Sequence, residues 1–144
     1  MTELLRASFR WQRHPGGRIT GRLRRLAIDT LQRLGYQTGE VGVLLCDDAS
    51  IQALNRRYRA KDRPTDVLSF PSGSSVPDGP PYIGDVAISV ETAARQAEAG
   101  GHSLARELEV LLLHAVIHLA GHDHETDSGE MNALEARLRK ELLS

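Results

Sequence analysis

The chain has 144 residues, 40% of them hydrophobic and 26% charged, with one cysteine and a formal net charge of −1. One domain is expected at this length, with a core large enough to need no covalent staple, and the single Cys46 excludes an intramolecular disulfide. The N-terminal stretch carries Arg6, Arg10 and Arg13 without a long apolar run, and histidines interrupt the most apolar segment, which is too short for a bilayer. Neither a secretory signal nor a membrane span is therefore expected, and the expectation is a soluble cytoplasmic protein.

The near-neutral total hides an asymmetry. Residues 1–63 hold 13 Lys and Arg against 6 Asp and Glu, a net of +7, and residues 64–144 hold 5 against 13, a net of −8. A basic half suits phosphate contacts, although two solvated helix faces give the same count.

In chain order, residues 3–13 partly alternate and predict an opening strand, broken by His14-Pro15-Gly16-Gly17. Thr20 to Leu34 reads as a helix: Leu23, Leu26, Ala27, Thr30, Leu31 and Leu34 recur at helical spacing, and Gly35 ends the run. Glu40 to Cys46 is a short apolar strand, in which Cys46 reads as a small core residue rather than a nucleophile. Asp47 or Asp48 suits the N-cap of a helix over about Ala49 to Tyr58, with Ile51, Leu54 and Tyr58 toward the core. A basic connection from Arg59, stiffened by Pro64, leads to a strand at Asp66 to Phe70. Residues 72–82, rich in Gly, Pro and Ser, predict a surface loop.

Ile83 to Ser89 is the next strand. Asp85 inside it is either an outward-facing residue or a hydrogen-bond anchor near the functional site. A helix over Val90 to Ala99 ends at Gly100-Gly101, and Ser103 caps a central helix that runs to Ala120. A last amphipathic helix covers about Ser128 to Leu143, with Met131, Leu134, Leu138 and Leu142 on one stripe. Strands interspersed with helices predict an α/β or α+β sandwich, and the central helix, apolar almost all round, should be buried within it.

That central helix carries the chemistry. His114 and His118 are four residues apart on an unbroken helix and so share one face. Gly121 suits a left-handed helix end, and the turn after it can return His124 toward the pair. Three neutral imidazoles form an open tripod for one metal ion, a donor set that suits Zn²⁺, with a fourth position left for water. His122 lies in the same cluster and ranks behind His124 as a ligand. The spacing H-x-x-x-H-x-x-G-x-x-H is also that of metzincin proteases, which place a glutamate base directly after the first histidine. Here that position is Ala115, which moves no proton.

The stretch H-A-V-I-H-L-A-G-H-D-H at 114–124 resembles the histidine signature of the YbeY family of bacterial rRNA maturation factors. L-N-R-R-Y-R-A-K-D-R-P-T-D-V-L-S-F-P at 54–71 is similar to the family's second signature, and I-G-D-V-A-I-S at 83–89 to its third. The three stand in the family's order, and the resemblance runs from about residue 20 to the C-terminus. Many relatives have Tyr where this chain has His122, and Gly where it has Ala115; neither change replaces a tripod ligand.

The resemblance implies a single α/β domain over residues 1–144, with a small, mostly parallel mixed sheet of about four strands, packed with helices. It also implies a metal-dependent, single-strand-specific endoribonuclease acting in 16S rRNA 3′-end maturation and ribosome quality control. His114, His118 and His124 would bind one zinc ion per chain, and Arg59 matches the family's functionally important arginine. Catalysis is thus expected at His114 and Arg59, the guanidinium stabilising charge that builds on the phosphoryl oxygens.

Arg56, Arg57, Lys61 and Arg63 are candidate contacts to the RNA backbone, and Tyr58 or Phe70 a candidate base stack, although lone aromatics more often belong to a core. Asp85 and Asp123 are candidate orienting partners for the metal ligands, as is Glu125. The attacking group is either water or the ribose 2′-OH, and no general base is evident. By the same resemblance, the partners are single-stranded rRNA, the small ribosomal subunit and an Era-type GTPase. Two other readings fit parts of the pattern: a zinc metalloprotease-like hydrolase, opposed by Ala115, and a non-catalytic ribosome-assembly factor with a bound metal, opposed by the open coordination position.

Overall fold

The opening alternation forms strand β1 (Leu5–Trp11), with Leu5 and Ala7 buried and Arg6, Ser8 and Arg10 turned outward. The computed structural model describes residues 4–12, 18–72, 82–121 and 129–143. After β1 come α1 (Ile19–Arg33), β2 (Gly39–Cys46), α2 (Asp48–Arg59), β3 (Val67–Pro71) and β4 (Tyr82–Ser89), followed by α3 (Val90–Gly100), α4 (Leu104–Leu119) and α5 (Glu130–Leu142).

The strands make one sheet in the order β1-β2-β4-β3. The β1–β2 and β2–β4 pairs are parallel and β3–β4 is antiparallel, so the expected mostly parallel mixed sheet of four strands holds. Its two central strands are the most apolar, as burial on both faces requires: Val41, Leu45 and Ile88 are fully enclosed. Alternation sorts the residues between faces. Val41, Val43, Leu45, Val86 and Ile88 join the core with Leu23, Leu26 and Leu31 of α1 and with Leu112, Val116 and Ile117 of α4. Cys46, Leu68 and Ala87 pack on the opposite face with Ile51 of α2. Each large apolar side chain enclosed in this way contributes roughly 1.5–3 kcal/mol, so the α1/α4 face dominates the stability.

One glycine sets how closely α4 approaches the sheet. A Cβ on Gly84 would lie 2.6 Å from the Phe70 carbonyl oxygen and 2.7 Å from Leu119 Cδ2. Only a residue without a side chain lets β3 and the end of α4 close over β4 at this point.

Local signals explain most element ends. Asp47 is the N-cap of α2 and accepts from Ser50 N at 2.8 Å. Ser103 caps α4 as expected, accepting from Arg106 N at 3.1 Å, and Gly121 follows its end at φ 95°. Asp48, the other cap candidate, instead ties α2 to α3. It accepts from Ser89 Oγ at 2.6 Å, Thr92 Oγ1 at 2.6 Å and Arg95 Nη2 at 2.7 Å.

Several expectations need correction. Tyr58 does not face the core: it is 58% exposed at the rim of an open groove, and its ring meets Phe70 edge-on at 5.3 Å. Strand β4 begins at Tyr82, and Ser72 N donates to Ile83 O at 3.2 Å, so pairing reaches both ends of the expected loop. Residues 73–81 of that loop, and Ser128 at the expected start of the last helix, lie outside the described residues.

Candidate metal centre and catalytic cleft

From Glu107 onward, helix α4 is buried on all sides but one. Glu107, Val110, His114 and His118 are its part-exposed residues along one stripe, and with Leu111 they form one wall of a cleft of about 400 Å³. The opposite wall is Asp66, Val67 and Ser69 at β3, with Arg59 from α2 and Glu135 from α5 completing the lining. Helical spacing puts the two imidazoles one turn apart on a rigid element, and their ring centroids lie 5.0 Å apart with planes at 64°.

His114 is held from behind. Its Nδ1 lies 2.7 Å from Glu135 Oε1, with the two side chains 31% and 15% exposed. This hydrogen bond pushes the affinity of His114 for a proton above that of an ordinary histidine; burial opposes it, and the charges of Glu135 and Asp66 add to it. Asp66 is itself fixed, accepting from Val67 N at 2.7 Å and from Gln96 Nε2 at 3.3 Å. Glu107 lies 2.5 Å from His102 Nε2.

Two imidazoles on one wall, one of them backed by a carboxylate, have the donor chemistry of a zinc site. Among the described residues, no group of three His, Cys, Asp or Glu converges on one point. The expected third ligand, His124, lies outside the described residues, as do His122, Asp123 and Glu125. His114 and His118 are the described residues that could hold such an ion.

The structure brings Arg59 to the same cleft, though not from a loop. Arg59 is the last residue of α2, and Ala60 behind it takes the left-handed conformation at φ 57° that ends the helix. Arg56, Arg57, Lys61 and Arg63 are exposed and do not line the cleft. Arg56 pairs with Asp62 at 3.6 Å, Arg57 lies over the Tyr58 ring at 5.4 Å, and the Arg63 carbonyl accepts from Asn55 Nδ2 at 2.9 Å.

Asp85 is not a partner of His114 or His118. Its side chain is on the α2 face of the sheet, bonded by the Tyr82 hydroxyl, in a separate groove of about 480 Å³ with Arg10, Gly42 and Phe70. The strand's alternation fixes that face, whereas α4 covers the other. Ala115 lines the histidine cleft and is buried, so no proton-transferring group stands at the protease base position.

Sequence reasoning missed three cleft carboxylates, Asp66, Glu107 and Glu135. Two carried a readable signal. Glu107 lies on the helical stripe of the histidines, one heptad before His114, and Glu135 lies four residues after Met131 and three before Leu138, beside the buried stripe of the last helix.

Comparison with known proteins matches this arrangement to a family. A family model described as endoribonuclease YbeY covers residues 18–143. A protein named endoribonuclease YbeY from Koribacter versatilis is 53% identical over 104 residues, or 72% of this chain, and the match spans 65% of that relative's own length. Its namesake from Geobacter metallireducens is 46% identical over 135 residues, spanning 91% of this chain and 88% of the relative. The solution structure of TM1509 from Thermotoga maritima superposes with a TM-score of 0.65 at 24% identity, over 94% of this chain and 88% of the other, a likeness of fold. The matched span takes in all three motifs, the cleft and nearly every element, and the chain belongs to the endoribonuclease YbeY family.

Proposed function

We propose that this chain is a zinc-dependent, single-strand-specific endoribonuclease that acts in 16S rRNA 3′-end maturation and ribosome quality control. Its setting is the cytoplasm, its partners are rRNA, the small ribosomal subunit and an Era-type GTPase, and its cofactor is one Zn²⁺ per chain. The relatives' name supports the reaction class. The observation that carries the site is that Arg59, His114 and His118 line one cleft although they come from two different helices. No helix among the described residues is long and apolar enough to cross a membrane.

In this reading His114, His118 and His124 hold the ion. When bound, it supplies a Lewis acid that polarises a phosphoryl oxygen and lowers the pKa of water. The protein's own groups do the rest. Arg59 offers a planar, charged fork to the non-bridging oxygens, where negative charge grows as the bond to phosphorus changes. Among the described residues, Asp66, Glu107 and Glu135 are the carboxylates that line the cleft, and they are its candidates for proton acceptance from an attacking hydroxyl, a role Ala115 cannot fill. The apolar wall of Leu111 and part-exposed Val110 lowers the dielectric around these charges, which strengthens each interaction.

The test is metal analysis combined with cleavage of single-stranded RNA by wild type, His114→Ala and Arg59→Ala at matched folding. Wild type should carry about one zinc per chain and cut RNA. His114→Ala should lose both metal and cleavage. Arg59→Ala should keep the metal and lose about 10²–10³-fold in rate, as when one transition-state donor is removed. Metal binding with no cleavage by any variant would refute intrinsic nuclease activity and favour the assembly-factor reading.

A further inference from the structure

We infer that Glu135 is the positioning residue of the metal site: it selects the tautomer of His114 and fixes the plane of its ring. The inference rests on the metal reading above and adds to it a residue on another helix. An ionised carboxylate only accepts hydrogen bonds. With Glu135 Oε1 at 2.7 Å from His114 Nδ1, the proton of a neutral imidazole must sit on Nδ1. The ligating lone pair is then on Nε2. A free neutral imidazole divides its proton between the two nitrogens, so without this partner part of the population presents the wrong atom to the ion.

Packing makes the contact a fixed one. Met131 and Leu138 of α5 are 0% and 1% exposed, and Glu135 stands between them on the same side of the helix. The α5 backbone cannot rotate the carboxylate away from α4 without exposing both. The Glu135 side chain is 15% exposed, so little water competes for its oxygens. Ring rotation of His114 would break a part-buried, charge-assisted hydrogen bond. The carboxylate also raises the electron density that the imidazole offers to a cation.

The experiment compares wild type, Glu135→Gln and Glu135→Ala by two readouts. The first is zinc affinity, from competition with a chromogenic chelator. The second is the ring ¹⁵N shifts of His114 in the metal-free protein at alkaline pH, with circular dichroism confirming the fold. Glu135→Ala should weaken zinc binding about 10–100-fold, the usual cost of losing such a partner, and should release a mixture of tautomers. Glu135→Gln keeps an acceptor oxygen and serves if the alanine variant fails to fold. Because its amide can also donate to Nδ1, it should relax the tautomer preference while still holding the ring, and so lose less affinity than Glu135→Ala.

A residue that only packs α5 would lower the unfolding temperature and leave the tautomer untouched. A wild-type His114 with an unprotonated Nδ1 overturns the inference whatever the metal result, as does a folded Glu135→Ala with wild-type zinc affinity and an unchanged tautomer. A wild type that binds no zinc overturns the tripod itself, and the tautomer readout still judges Glu135.

Discussion

Gly84→Ala is the substitution that most directly tests how the fold builds the cleft. The new Cβ would start 2.6 Å from the Phe70 carbonyl oxygen and 2.7 Å from Leu119 Cδ2, distances below the 3.0 Å that real Cβ atoms keep. The leucine methyl can swing aside, but the carbonyl belongs to a strand backbone paired with β4 and cannot. β3 must therefore move by at least 0.4 Å, the difference between 2.6 and 3.0 Å. The backbone at Gly84 is also at φ 155°, where a side chain adds strain. Overpacking of this kind costs about 1–3 kcal/mol.

The functional effect should come in addition to the loss of stability. β3 carries Val67 and Ser69 and α4 carries both histidines, so the shift separates the two walls of the cleft. Misplacement by about 1 Å can cost 10²-fold in rate. Urea unfolding of Gly84→Ala should show a lower midpoint with an unchanged slope, and RNA cleavage per folded molecule should fall at least tenfold, beyond any change in zinc content. A variant within 0.5 kcal/mol of wild type and fully active would refute the close-approach argument.

Other expectations follow from particular contacts. Arg59→Lys should rescue little of the lost RNA cleavage, because an ammonium lacks the two-pronged fork, whereas a fully active lysine variant would reduce the role of Arg59 to charge alone. The Asp48 carboxyl lies below its ordinary value of 3.8: burial acts to raise it, but hydrogen bonds from Ser89, Thr92 and Arg95 and the Arg95 charge outweigh that effect. Asp48→Asn should cost about 1–2 kcal/mol at neutral pH, toward the lower end because Arg95 is largely exposed. A carboxylate with a depressed pKa stabilises above its unfolded pKa, so the gap to wild type should close as pH falls below about 4, through the folded pKa. Denaturant midpoints across that range check the sign. Burial, with Asp47 and Asp48 beside it, pushes the Cys46 thiol up to about 11. It should resist disulfide-exchange labelling at neutral pH until denaturant is added, and rapid native labelling would contradict its burial. Replacing Ala115 with Glu should bring no proteolysis, since a base alone does not make a peptide-binding site; hydrolysis of casein by that variant would revive the protease reading.

Local periodicity determined the elements and the histidine pair. A helix repeats every 3.6 residues whatever surrounds it, so His114 and His118 share a face by covalent geometry alone. Ser103 and Gly121 bound that helix for equally local reasons. What converges on the pair is not local. Glu135 lies 21 positions from His114 and reaches it only because α5 packs against α4 through Met131 and Leu138. Arg59 joins the cleft because α2 ends in a left-handed turn and the chain returns as the edge strand β3.

Asp85 shows the opposite limit. Alternation says that its side chain shares a face with Ala87, but not which helices cover that face. The placement of α2 there, and of α4 on the other side, turned a suspected anchor of the metal ligands into part of a separate groove. Tyr58 has helical spacing for the core, yet its ring lies at the rim of the groove beside Phe70 and is left exposed. The sequence by itself determined which residues lie on one face of each element, because that is set by backbone repeat. The tertiary structure alone decided which faces meet, because burial of the sheet's two sides and the close approach at Gly84 are properties of the packed whole.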